Sequence, residues 1–156
     1  MKQLIHVALF FIAITISHAR VGETLEQCRT RYGDTISKDD KEGTATFRKS
    51  GLIVLVYYKD AKADCVVFRK IQTDPLGNGE EISENEIEGL LRANGGERKW
   101  NKSKSPSIDS EWVTADGELH AHYANFKHVL GVATKGWLER KSAAKKDEEN
   151  QVIKGF

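Results

Sequence analysis

The stretch Gly51-Leu52-Ile53-Val54-Leu55-Val56-Tyr57-Tyr58 decides how the chain is read. It opens at the turn dipeptide Ser50-Gly51 and is then apolar or aromatic at every position. β-Branched and aromatic residues dominate it, which favours a pleated strand over a helix. A strand with one wet face alternates apolar and polar residues. Here Ile53, Leu55 and Tyr57 share one face, and Leu52, Val54, Val56 and Tyr58 share the other, so both faces need a cover.

Upstream, Thr44 to Lys49 alternates as a strand, and Ser50-Gly51 joins it to the central stretch as a two-residue hairpin. Downstream, Lys59 to Asp64 is a polar turn and Cys65 to Ile71 a third strand. A helix precedes them. Thr24 and Gln27 form a T-x-x-Q capping box, in which hydroxyl and amide each satisfy a free backbone N–H. Leu25, Cys28 and Tyr32 follow on one helical face, and Gly33 ends the helix. Asp34 to Gly43 reads as a loop.

The second half follows the same order. Residues 73–82 hold the turn formers Asp74-Pro75 and Gly77-Asn78-Gly79 and read as a linker. Ser83 and Glu86 make another capping box, Ile87, Leu90, Leu91 and Asn94 line one helical face, and Gly95-Gly96 stops it. Glu97 to Ser107 is polar and basic around Trp100. Glu111 to Ala115, Glu118 to Tyr123 and His128 to Thr134 read as strands, the first two joined at Asp116-Gly117. Within the helices Leu25 matches Ile87 and Cys28 matches Leu90 without a gap, and the turn Ser50-Gly51 matches Asp116-Gly117. The predicted fold is α+β, with two tandem helix-plus-antiparallel-β-meander units at 20–72 and 83–137 and the helices packed on one face of the sheet. A charged tail, 138–156, of helix formers without an apolar stripe reads as a frayed helix or disordered tail.

The N-terminus sets the expected compartment. Residues 1–19 have the form of a secretory signal peptide: Lys2, a mostly apolar run from Leu4 to Ile16, and the small residues Ser17 and Ala19 before a cut at Arg20. The alternative is an uncleaved anchor, since the charge-free span reaches the lower limit of the roughly 17–25 residues that cross a bilayer. Secretion or periplasmic export is expected, with no stable membrane insertion after cleavage. Removal of the leader takes Lys2 with it, so 24 basic residues become 23 against 23 acidic ones. That balance argues against nucleic acid as the partner.

Two cysteines, Cys28 and Cys65, invite a disulfide in an exported protein. It would contribute roughly 3–4 kcal/mol by loop entropy. Two buried free thiols are the alternative.

The pattern Gly22-x-Thr24-x-x-x-Cys28-x-x-x-x-Gly33, followed by a β-meander, resembles the small exported fold of the outer-membrane assembly lipoproteins of the SmpA/OmlA type and of the β-lactamase inhibitory proteins. The inhibitory proteins carry the unit twice and grip an enzyme with a concave sheet. The resemblance spans most of residues 22–135 and implies this architecture and protein binding. Two positions depart from it: Thr35 stands where the family has proline, and the lipoprotein cysteine is missing.

Catalytic motifs are sparse. No G-x-S-x-G elbow and no H-E-x-x-H is present. His120-Ala121-His122 puts two imidazoles on one strand face, where they could share a metal with His128 as a third ligand. Two solvent-side histidines are the plainer reading. Trp100, Trp112 and Trp137 all fall in the second half, and Trp is enriched at binding hot spots. Trp100 is expected partly exposed and Trp112 is expected beside Leu119 or Ala121. Matching the halves sets Leu52, Val54 and Val56 against Glu118, His120 and His122. That places Val54 and Val56 on the face away from the helices. The expectation is a non-enzymatic, cofactor-free protein that binds another protein through Val54, Val56, Tyr58, Trp100, His120 and His122. The alternative is a small metal-binding protein or hydrolase built on the histidine strand.

Overall fold

The computed structural model of the chain describes residues 21–72, 75, 79–104 and 107–154, those from 150 onward by backbone alone. The expected leader, and the linker residues Thr73, Asp74, Leu76, Gly77 and Asn78, lie outside the described residues. In chain order the elements are α1 (Leu25–Tyr32), β1 (Ser37–Asp39), β2 (Thr44–Lys49), β3 (Leu52–Lys59), β4 (Lys62–Lys70), α2 (Glu84–Gly95), β5 (Trp100–Lys102), β6 (Ser110–Thr114), β7 (Leu119–Ala124), β8 (Val129–Thr134) and α3 (Lys135–Lys154). All eight strands form one antiparallel sheet in the order β1-β2-β3-β4-β8-β7-β6-β5. The fold is α+β. Among the described residues no helix is long and apolar enough to cross a membrane.

Local chemistry places these elements. Thr24 Oγ1 accepts from Gln27 N at 3.3 Å, and Thr24 N donates to Gln27 Oε1 at 2.8 Å. Ser83 and Glu86 repeat the exchange at α2. Each box satisfies two donors that a helix start leaves free. Lys49 pairs with Leu52 across Ser50 (φ 49°) and Gly51 (φ 77°), two left-handed residues whose twist suits the flanking strands. Asp60 (φ 51°) and Ala61 (φ 61°) do the same between β3 and β4.

Four elements differ from expectation: β4 starts at Lys62, inside the stretch read as a polar turn. β1 and β5 fall in stretches that read as loops. Each is three residues long, mostly exposed and at a sheet edge, so neither carries an apolar alternation. The stretch read as a frayed helix or disordered tail from 138 onward is the helix α3, which begins three residues earlier, at Lys135.

The core lies on one side of the sheet. Phe47, Val54, Phe68, Leu130 and Tyr123 stand in one row across β2, β3, β4, β8 and β7, and Ala45, Val56, Val66, Val132 and Ala121 in the next. All ten are buried in a cluster that also holds Cys28 and Tyr32 of α1 and Ile87, Leu90 and Leu91 of α2. Tyr32 lies 5.4 Å from Phe47, ring to ring. Trp112 pairs with Ala121 and packs against this cluster.

Val54 and Val56 therefore do not form a surface. They are 1% and 0% exposed. The misplacement has a physical cause. The Ser50-Gly51 loop has two residues, whereas Ala115 to Glu118 separates β6 from β7. Aligning the two glycines slips the register by one, and a one-residue slip exchanges the faces.

The expected Cys28–Cys65 disulfide is absent. Both cysteines are free and buried. Cys28 belongs to the core cluster, whereas Cys65 pairs with Tyr57 and Ala133 on the other face, so the sheet stands between the two sulfurs.

Candidate functional site

The face opposite the core is the candidate site. Cross-strand partners share a face, so the register defines it. Ile53 lies between Arg48 and Arg69, Leu55 between Thr46 and Val67, and Tyr57 between Thr44 and Cys65. The rows continue through Gly131 and Ala133 on β8 to His122 and His120 on β7. None of these residues belongs to the core cluster. Ile53, Leu55, Tyr57 and Val67 are only partly buried.

α3 stands at one end of this face. Its Trp137 ring lies 6.2 Å from that of Tyr57, and Arg140 and Thr134 both bond the Asp64 carboxylate. Trp137 and Leu138 wall a cavity of about 530 Å³ whose floor includes Cys65, Val67, Gly131 and Ala133. A cavity of this size, mostly apolar with a few polar groups at the rim, suits an inserted side chain or small molecule. Burial pushes the Cys65 thiol up to about 12. The thiol stays protonated near neutral pH and is a poor nucleophile there.

His120 and His122 line this cavity. His122 Nε2 is 3.2 Å from Asp109 Oδ2 and exposed, while His120 is half-buried. His128, the possible third ligand, instead places Nδ1 2.6 Å from the Gly79 carbonyl oxygen. Among the described residues no three His, Cys, Asp or Glu side chains stand together as a metal-ligand set.

The remaining expected site residues lie elsewhere. Trp100 packs half-buried against the core and donates Nε1–H to the Leu91 carbonyl at 2.8 Å, which commits it to α2 rather than to a partner. Tyr58 also packs against the core. Burial, with the adjacent Cys28 thiol, raises its phenol well above the ordinary range, so it is not an exposed anchor.

A second polar cluster lies beneath α1. Glu23 is 3% exposed, and Arg31 Nε donates to both of its carboxylate oxygens at 2.9 and 3.1 Å. Glu23 O also accepts from Ala63 N at 2.7 Å. This pair ties the N-terminal segment to β4, and a fork-to-fork ion pair satisfies charges that burial would otherwise penalise.

Arg48, Leu55, Arg69 and Val67 were missed by the sequence reading, which did single out Trp137 among the tryptophans. The available signal was the alternation of β2. Its apolar members Ala45 and Phe47 fall, across a two-residue hairpin, on Val56 and Val54, and its Thr46 and Arg48 fall on Leu55 and Ile53.

No protein family, curated protein or solved structure matches the chain.

Proposed function

We propose that this is an exported, non-enzymatic protein that binds another protein on the sheet face bearing Ile53, Leu55 and Val67. One observation carries the reading: the sheet bears apolar residues on both sides at β3 and β4, and only one side contributes to the core cluster that α1 and α2 complete. The finer architecture follows the same logic. α1 and α2 cover one face, and two helix-plus-meander units, 20–72 and 83–137, meet where β4 pairs with β8. The part of this face that α3 leaves open, with Ile53, Leu55 and Val67 partly exposed, supports an interaction surface. Export rests on the leader-like residues 1–19.

Site-specific photocrosslinking tests the proposal. A benzoylphenylalanine replacing Leu55 should give a discrete heteromeric adduct in the native exported fraction, and one replacing Glu88 of α2 should not. Equal labelling from both positions, or none from Leu55, overturns it.

A further inference from the structure

The face opposite the core carries two guanidinium groups at the end away from α3. Arg48 and Arg69 are the cross-strand partners of Ile53 on its two sides, so they rise from the same face about 10 Å apart at the backbone. Both are exposed. Among the described residues neither makes an ion pair, although most other arginines there do: Arg29, Arg31, Arg98 and Arg140 all have carboxylate partners. The acids of the distant β6 side of the face do not serve them. Asp109 is taken by His122 and by the Asn125 N–H, and Glu111 on β6 makes no ion pair with either arginine.

This pair restricts what can cover the face. A partner that buries Ile53 and Leu55 also takes water from both guanidinium groups, and burying an unpaired charge costs several kcal/mol. A wholly apolar partner cannot meet that cost. A carboxylate can, because its two oxygens match the arginine fork and give short, charge-assisted hydrogen bonds. We propose that the occupant is a protein segment presenting an acidic side chain to the Arg48–Arg69 pair, with apolar residues over Leu55 and Val67 beside it. On β4, Val67 lies two residues from Arg69, or roughly 7 Å along the strand. An extended segment with an acidic residue two positions from an apolar one fits that spacing.

The proposal rests on the protein-binding reading above and is tested separately from it. The probe is a fluorescein-labelled peptide, Thr-Val-Glu-Val-Glu-Val-Thr, with a control in which both glutamates are glutamines. Fluorescence polarisation with the full chain should show the glutamate peptide bound about tenfold tighter. The preference should vanish in Arg48→Gln/Arg69→Gln and weaken steeply with salt. Leu55→Ser should weaken both peptides alike. Equal binding of the two peptides, or none by either, overturns the carboxylate seat. The Leu55 crosslink then decides independently whether the face binds protein at all. Concentration-dependent self-association lost in Leu55→Ser also overturns it, by making the second copy the occupant.

Discussion

Trp100 closes over Gly95: a Cβ built on Gly95 would stand 2.4 Å from Trp100 Nε1, the atom that donates to Leu91 O. Gly95 ends α2 without a positive φ, so alanine there would ordinarily gain about 0.5–1 kcal/mol of helix propensity. Here the sign reverses. Gly95→Ala is expected to destabilise by about 1–3 kcal/mol, through overpacking and loss of the hydrogen bond. Chemical denaturation measures it. In a Trp100→Ala background the penalty should disappear, and a penalty that persists there refutes the contact as its cause.

Val54 and Leu55 make the sharpest contrast in the molecule, since neighbours in one strand face opposite ways. Val54→Lys puts a charge into the core and should cost several kcal/mol, seen as insoluble or unfolded protein. Leu55→Lys is expected to fold, with a stability change within about 1 kcal/mol. A well-folded Val54→Lys protein would invert the assignment of the two faces.

Much of this fold was legible in the sequence, and the part that was not has a clear cause. Capping boxes at Thr24 and Ser83 and the turn at Ser50-Gly51 are local, so they are visible without tertiary knowledge. Which face of β3 is buried depends on register. The stretch from Leu52 to Tyr58 is apolar on both parities, so it does not state its own orientation. The polar β1 and β5 were illegible because edge strands need no apolar side. Arg48 and Arg69 look like ordinary surface charges until the hairpins set them on either side of Ile53.

Ala61 occupies the second position of a two-residue hairpin at φ 61°, where glycine carries no Cβ penalty. Ala61→Gly should therefore raise stability by about 1 kcal/mol, which in a domain of this size corresponds to a melting temperature some 2–6 °C higher. An unchanged or lower melting temperature would show that the turn carries no strain.

Both thiols should behave as buried acids. Native protein should resist alkylation near neutral pH and yield two labelled cysteines once denatured, with or without reductant. A denatured, unreduced chain with none to label would restore the disulfide. Because burial holds the Cys65 thiol up to about 12 against an ordinary 9.0, the folded state keeps a proton that the unfolded chain releases. That stabilisation is full below pH 9 and is lost as pH rises from 9 towards 12, by roughly 4 kcal/mol in total. Denaturant titrations across that window should show the decline, and Cys65→Ala should flatten it.

The pairing of β4 with β8 also sets an order of events in time. Phe68 must wait for Leu130, 62 positions downstream, and Cys65 waits still longer for Ala133. At a synthesis rate of about 5–20 residues per second, a nascent chain carries the strand containing Val66, Val67 and Phe68 for roughly 3–12 s before its ladder partner exists. For that interval its backbone donors and acceptors form an open apolar edge, the kind of template on which neighbouring chains aggregate. The last strand of the sheet is thus also its lock, and the pace at which the ribosome delivers it decides how long each newborn molecule stays vulnerable.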